Sequence, residues 1–140
     1  VEERIGPQVK MAVDSGKLNS GDVRKFENLY GDLSSIMPDE PPALLHGDLW
    51  GGNYFYDAEG NPAIYDPAVY YGNREIELAF THLFGGFSRD FYNSYESTWP
   101  LEPGFGSRKD IYNLYPLLVH VNLFGGHYAS QVRAIINRFG

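Results

Sequence analysis

The chain has 140 residues, of which 43% are hydrophobic and 16% aromatic, enough for a single domain with a buried core. Its formal net charge of −7, from 11 basic and 18 acidic residues, disfavours nucleic acid and anionic membranes as partners. Cysteine is absent, which excludes disulfides and thiolate metal sites in these residues, and no apolar run is long enough to span a membrane. We therefore expect a soluble protein in the cytoplasm.

The N-terminal part of the chain predicts two helices. Apolar residues at helical spacing indicate one over residues 4–15, with Pro7 tolerated only in its first turn. Asn19 or Ser20 can cap a second helix over 21–36. Its apolar positions recur at steps of three and four residues: Val23, Phe26, Leu29, Tyr30, Leu33 and Ile36.

A polar, glycine-rich loop follows an apolar stretch and carries the first candidate chemistry. Gly51 and Gly52 would weaken any helix here, so Asp48 and Asn53 are expected on one loop. A carboxylate can accept the proton of a hydroxyl, and an amide oxygen can bind a hard cation such as Mg²⁺. The spacing from His46 to Asp48 to Asn53 is the one found in the catalytic loop of protein kinases.

A β-hairpin is predicted immediately after this loop. Two aromatic-rich strands, within 54–57 and 62–66, flank a turn at 58–61 that contains Gly and Asn. The second strand ends in a lone carboxylate, Asp66, thirteen positions after Asn53. The hairpin should return Asp66 to the side of Asn53, which would make the pair a plausible site for metal-bound phosphate.

The remainder of the chain predicts four helices. They cover 73–84 with Asn73 as cap, a short stretch within 87–95, a long apolar span from Ser107 through Phe124, and about 129–139. Pro116 should kink the long helix. The hairpin residues Phe55 and Ile64 and the aromatic run 80–95 are expected in the core.

Each candidate residue also has a purely structural interpretation. Asp48 could cap a turn, Asn53 could be a turn residue, and Asp66 could be an ordinary carboxylate at the end of a strand. His46 is more often a hydrogen-bonded structural residue than a base, and Trp50 could equally pack in the interior or stack on a sugar or glycated amine. The other histidines lack zinc-ligand spacing, and no serine elbow or cysteine supports a nucleophilic hydrolase.

Two segments carry a resemblance to a known family. The run HGDLWGGN at 46–53 and IYDPAVYYGNREIELAF at 64–80 resemble the C-terminal lobe of fructosamine (ketosamine) kinases, relatives of the aminoglycoside phosphotransferases in the protein-kinase-like superfamily. The His-x-Asp-x4-Asn frame alone indicates only the superfamily. The narrower signals are Trp50, the Asp-Pro-Ala at 66–68 and the Pro-Gly-Phe at 103–105. The resemblance covers nearly the whole chain.

The resemblance implies a fold and a role for each residue. It implies an α+β, mostly helical C-terminal kinase lobe with a small β-hairpin beside the catalytic loop, and ATP and Mg²⁺ as cofactors. Asp48 would be the catalytic base, and Asn53 and Asp66 would hold Mg²⁺. Further implied roles are these: His46 and Glu77 support the loop, Trp50 contacts substrate, and Phe55 forms part of the adenine pocket.

The substrate implied is a small-molecule or protein-bound ketosamine. Gly47 stands where protein kinases carry Arg, and Pro67 follows Asp66, so control by an activation-loop phosphate is disfavoured. The alternatives are an aminoglycoside- or choline-type phosphotransferase and a non-catalytic binding domain that keeps the fold.

Residues 1–140 are expected to form a single domain without the nucleotide-binding lobe. No glycine loop followed by an ion-pairing lysine precedes the catalytic loop. The chain alone is therefore expected to be inactive, and to self-associate through the face that the other lobe would cover.

Overall fold

The computed structural model describes residues 2–139, which divide into two compact units. The first unit contains residues 2–38 and 113–139, and the second contains 39–112. The helices are α1 (Glu2–Asp14), α2 (Ser20–Ile36), α3 (Arg74–Phe84), α4 (Arg89–Thr98), α5 (Phe105–Tyr112), α6 (Leu114–Phe124) and α7 (His127–Ile136). The strands are β1 (Ala43–Leu45), β2 (Tyr54–Tyr56), β3 (Pro62–Ile64) and β4 (Tyr70–Gly72). Within residues 2–139, no helix has both the length and the hydropathy to cross a membrane.

The first unit is a helical assembly of α1, α2, α6 and α7. Helix α6 packs against α1 and α7, and α2 packs against α7. A reciprocal cap starts α2: the Asn19 side chain accepts from the Asp22 N–H at 3.1 Å, and the Asp22 carboxylate accepts from the Asn19 N–H at 3.0 Å. Asp22 is buried, and Arg133 of α7 balances its charge at 3.1 Å.

The core of the first unit is aliphatic apart from one phenylalanine. Its buried apolar side chains are Ile5, Val9, Ala12, Leu18, Phe26, Leu29, Leu114, Leu117, Leu118, Val121, Ala129, Val132, Ile135 and Ile136. The predicted helix over 21–36 agrees closely with α2, and its positions 26 and 29 are fully buried. Amphipathic spacing was therefore enough to identify the buried face of this helix.

Two short antiparallel ribbons lie in the second unit. Strands β2 and β3 form the predicted hairpin, with Tyr54 opposite Ile64 and Tyr56 opposite Pro62. Strands β1 and β4 pair with Leu44 opposite Tyr71. The sequence pattern did not predict this second ribbon, whose strands are three residues long and lie 24 residues apart. Together the ribbons bracket the loop 46–53 at both of its ends.

The interior of the second unit is unusually polar. Helix α3 packs against α5 and β1. Glu75 of α3 has 0% exposure, and its buried neighbours include Arg108 and Tyr112. Hydrogen bonds and ion pairs, as well as apolar contacts, therefore hold the elements that surround the loop.

Two helix predictions were wrong in their boundaries. Helix α1 begins at Glu2, so Pro7 lies at its sixth position and removes one helical hydrogen-bond donor. The predicted helix from 107 to 124 is two helices that meet at Asn113. Pro116 is the third residue of α6. In this first turn an N–H has no helical partner, so the proline does not kink the helix.

The core predictions for the hairpin and the aromatic run were also wrong. Phe55 is 50% exposed and Ile64 is 60% exposed, on opposite faces of the hairpin, because a ribbon of two three-residue strands has too few neighbours to bury either face. No side chain of α4 is buried. The aromatic rings here pack on one another: His82 stacks on Tyr92 with centroids 4.1 Å apart.

Candidate active site

The loop 46–53 is anchored by a carboxylate from the first turn of α3. Glu77 accepts hydrogen bonds from two consecutive backbone N–H groups, His46 at 2.9 Å and Gly47 at 2.7 Å. An acidic residue is favoured at this end of a helix by the helix dipole. Bonds from neutral donors to a charged acceptor are among the stronger hydrogen bonds of proteins. Glu77 thus binds the backbone immediately before Asp48 through both of its oxygens.

His46 uses both ring nitrogens in hydrogen bonds to the backbone. Nε2 lies 2.9 Å from the Tyr65 carbonyl oxygen, and Nδ1 lies 3.3 Å from the Asp48 nitrogen. A carbonyl can only accept and a backbone N–H can only donate, so Nε2 carries the proton and Nδ1 accepts. Both ring nitrogens of His46 are therefore engaged by backbone groups in this structure.

Gly47 occupies a position that no side chain could fill. Its φ is +83°, and a Cβ atom built on it would lie 2.0 Å from the Ala68 carbonyl oxygen. The Ala68 N–H in turn donates to the His46 carbonyl at 2.8 Å. The loop therefore contacts the segment after Asp66 backbone to backbone, and glycine is required here for both conformation and space.

Asp48 and Asn53 are in direct contact. The Asn53 side-chain nitrogen donates to the Asp48 Oδ2 at 3.1 Å and to the Asp48 carbonyl oxygen at 2.9 Å. Asn53 is buried and Asp48 is half-buried. The amide thus orients the carboxylate, while its own Oδ1 faces away from these two bonds. Among the described residues, no side chain donates a hydrogen bond to the other carboxylate oxygen, Asp48 Oδ1.

Asp66 is returned to the neighbourhood of Asn53 by the hairpin. Tyr65 donates its N–H to the Asn53 carbonyl at 3.1 Å, which extends the β2–β3 pairing by one position, and Asp66 follows directly. Asp66 is exposed and has φ +55°, the one non-glycine residue of 2–139 at positive φ. Strained backbone of this kind concentrates at functional sites.

Oxygen donors are the only ligand type that this arrangement offers. Among residues 2–139 there is no group of three or more His, Cys, Asp or Glu side chains suited to a metal. No described side chain is bonded to the Asp66 carboxylate. One amide oxygen and one free carboxylate suit Mg²⁺, which takes few protein ligands and completes its shell with water and phosphate. The residues present therefore fit this metal.

Two aromatic side chains expose surface near the loop. Trp50 is 43% exposed and its indole ring lies over Gly52, with Cη2 only 2.3 Å from where a Cβ would be. Trp50 is thus held against the loop and still presents an aromatic surface. Phe55 packs edge-on against Tyr65 with centroids 5.7 Å apart. Neither ring is in a core, so both are available for contacts with a ligand.

A buried polar network joins α3 to α5. Arg108 contacts both Glu75 oxygens, at 2.7 and 2.8 Å, and the Tyr112 hydroxyl donates to Glu75 at 3.0 Å. The hydrogen bond that Arg108 donates to Glu75 raises the pKa of Arg108. Burial, and then the Glu75 charge, raise the pKa of Tyr112. Arg108 also donates to the carbonyls of Glu102 and Pro103, which fixes the connection before α5.

A second arginine holds the segment between α4 and α5. Arg74 pairs with Glu40 at 2.9 Å and donates to the carbonyls of Trp99 and Pro100. Its guanidinium lies 4.2 Å from the centroid of the Trp99 ring. Burial opposes its charged form, but Glu40 and Tyr95 more than offset this, so the pKa of Arg74 is raised.

Sequence reasoning did not identify Tyr65 or these two arginines. One signal was present: Glu75 shares the i, i+3, i+4 face of Leu78 and Ala79, so a carboxylate stood on an apolar stripe. A buried acid needs a cation, but the identity of that cation, Arg108, depends on the packing of α3 against α5.

The chain is similar to proteins of one known family. A family model described as fructosamine kinase matches residues 1–139. A probable ketoamine kinase of Vibrio parahaemolyticus is 48% identical over 137 residues, which are 98% of this chain and 46% of that protein. The ketosamine-3-kinase of Mus musculus is 46% identical over 135 residues, 92% of this chain and 42% of that protein.

A solved structure shares the fold. The crystal structure of a candidate fructosamine-3-kinase from Thermobifida fusca superposes with a TM-score of 0.85 at 38% identity, covering 96% of this chain and 47% of that one. The chain thus spans about half the length of the curated relatives it matches. With the family model matching nearly every residue, the chain belongs to the fructosamine kinase family.

Proposed function

We propose that this chain supplies the catalytic loop of an ATP-dependent kinase that phosphorylates a hydroxyl group of a ketosamine. The contact between the Asn53 amide and the Asp48 carboxylate carries the proposal, because it orients a base beside a cation ligand. Relatives named ketoamine kinase and ketosamine-3-kinase support the choice of acceptor. The acceptor is a small glycated amine or a glycated protein side chain.

In this proposal Asp48 acts on the acceptor hydroxyl. Its free oxygen accepts the hydroxyl proton while the acceptor oxygen forms a bond to the γ-phosphorus and the bond between that phosphorus and the β–γ bridging oxygen breaks, releasing ADP. Such transfer depends mainly on positioning and on stabilising charge. The Glu77 and Asn53 hydrogen bonds provide that positioning for Asp48. Trp50, which is exposed beside the loop, would stack on the sugar or on its amine substituent.

Asn53 and Asp66 would hold Mg²⁺ through one oxygen each. When bound, the ion neutralises charge on the nucleotide phosphates. The buried Asn53 is fixed by its bonds to Asp48, whereas Asp66 is exposed and held only through its backbone neighbours. Phe55, exposed beside Tyr65, would contact the adenine ring.

We also propose that residues 1–140 form the C-terminal lobe and need a nucleotide-binding lobe for activity. The two ribbons expose apolar side chains that such a lobe would cover: Leu44, Phe55, Ile64 and Tyr71. The chain alone should be inactive without that lobe, and it should self-associate through this apolar surface. A cytoplasmic location, where ATP is available, goes with this role.

The test is acceptor-dependent ADP release by the full-length protein, meaning the product of its complete reading frame. With ATP, Mg²⁺ and fructosyl-lysine, we expect one phosphate transferred to the sugar for each ADP formed. An aminoglycoside and choline serve as the competing acceptors. Turnover with either of these and none with the ketosamine would overturn the substrate assignment, and no turnover with any acceptor would favour a binding role.

A further inference from the structure

Tyr65 links three parts of the candidate site, although none of its atoms belongs to the proposed catalytic or metal-binding set. Its N–H donates to the Asn53 carbonyl at 3.1 Å, and its carbonyl accepts from His46 Nε2 at 2.9 Å. Its hydroxyl donates to the Gly52 carbonyl at 2.6 Å. One residue therefore connects the start of the loop, the end of the loop and the strand that leads to Asp66.

The hydroxyl bond differs from the other two because only a side chain can make it. Backbone pairing would form with any residue at position 65. The phenol reaches back across the hairpin to the residue immediately before Asn53, and its ring is held by edge-on contact with Phe55. The ring is 48% exposed, so it contributes little to a core. A polar tip that is bonded while the ring remains accessible indicates a local role at the loop.

This bond joins the residues that precede the two proposed metal ligands. Asn53 follows Gly52 and Asp66 follows Tyr65, so a link between Gly52 and Tyr65 ties together the residues directly before each ligand. Asp66 also has φ +55°, a conformation that its neighbours must maintain. Mg²⁺ requires near-ideal octahedral geometry, so its affinity is sensitive to small changes in ligand spacing.

We propose that Tyr65 is a positioning residue whose hydroxyl bond to Gly52 sets the separation of Asn53 and Asp66 for Mg²⁺·nucleotide. This inference rests on the proposed function. Losing one such bond should reduce affinity for the metal-bound nucleotide by about 3- to 10-fold. Affinity for the metal-free nucleotide should not change, since the loop would still be folded. The turnover number at saturation should also change little, because Asp48 keeps its bonds to Asn53.

The experiment compares full-length Tyr65→Phe with Tyr56→Phe. Tyr56 lies on the same hairpin, is exposed, and makes no hydroxyl bond to the loop. Titration calorimetry with a non-hydrolysable ATP analogue, with Mg²⁺ and then with EDTA, measures the metal-dependent part of binding. Thermal melting in EDTA should place the two variants within about 2 °C of each other.

The expected result is weaker Mg²⁺·analogue binding in Tyr65→Phe only, with equal binding of both variants in EDTA. Equal affinities in Mg²⁺, or an equal loss with and without metal, would overturn the role of Tyr65. Asp66→Ala separates this failure from that of the proposed function. If Asp66→Ala binds the Mg²⁺·analogue like wild type, the metal assignment itself is wrong, and the inference about Tyr65 is overturned with it.

Discussion

Replacing Glu77 with glutamine is the sharpest perturbation of the loop that leaves Asp48 itself in place. Both Glu77 oxygens are used, one by the His46 N–H and one by the Gly47 N–H. A glutamine amide keeps one acceptor and turns the other into a donor, so one backbone N–H loses its partner and faces another N–H. A hydrogen bond to a charged group contributes about 1.5–3 kcal/mol.

That loss falls on the backbone immediately before Asp48. If the lost hydrogen-bond energy displaces Asp48, kcat should fall by about 10- to 100-fold, since about 1.4 kcal/mol of activation free energy changes a rate by a factor of ten. Glu77 is half-buried, which favours the lower end of this range. The melting temperature should fall as well, because the folded state loses this hydrogen bond and the free energy of unfolding decreases.

The assay is steady-state kinetics of the full-length protein with ATP and fructosyl-lysine, together with thermal melting. Glu59→Gln is the matched control. Glu59 is an exposed residue at the hairpin turn, so this variant makes the same chemical change away from the loop. A Glu77→Gln enzyme with kcat and melting temperature equal to those of Glu59→Gln would refute the anchoring role.

Three further predictions concern stability. Gly47→Ala should lower the free energy of unfolding by at least about 1–3 kcal/mol, because the residue has φ +83° and a backbone carbonyl already occupies the space of a methyl group. Gly31→Ala, in the open middle of α2, should instead raise the free energy of unfolding by about 0.5–1 kcal/mol. Denaturant titration of the two variants compares these effects. Arg108→Met should lower the free energy of unfolding by about 3–5 kcal/mol, because it leaves the buried Glu75 carboxylate unpaired. Lys10→Met, which removes an exposed ion pair, should lower it by less than about 1 kcal/mol. Equal losses in denaturant titrations of the two variants would contradict this prediction. Desolvation, and then a nearby lysine, lower the pKa of His82. The unfolded chain therefore binds a proton more readily than the folded chain, and stability is lost as the pH falls below 6.5. Between about pH 7.5 and 5.5, the melting temperature of His82→Phe should fall less than that of the wild type.

Local chemistry made part of the structure predictable from the sequence. The cap at Asn19 depends on a residue three positions away, and the β2–β3 hairpin depends on a turn of a few residues. The loop from His46 to Asn53 was recognisable because its residue types and their spacing are those of kinase catalytic loops. Each of these features is specified within about ten residues, where sequence patterns are most reliable.

Features that depend on distant partners were not predictable in the same way. The β1–β4 ribbon joins three-residue strands that are separated by 24 residues, and α3 packs against one of them, β1. The burial of Glu75 is satisfied by Arg108, 33 residues away. The exposure of Phe55 follows from the small size of its ribbon, which an aromatic side chain in an alternating pattern does not reveal. Topology, not residue type, decides these cases.

The central claim is that Asp48 is the base, and Asp48→Asn tests it most directly. An asparagine can still present an oxygen to the Asn53 amide, so the loop should remain folded, but it cannot accept a proton from the substrate. We expect kcat of the full-length protein with a ketosamine to fall by at least about 100-fold. Affinity for Mg²⁺·nucleotide, measured by calorimetry, should stay within about 3-fold of wild type, since a general base contributes to the transition state and not to nucleotide binding. Turnover close to wild type in Asp48→Asn would contradict the claim.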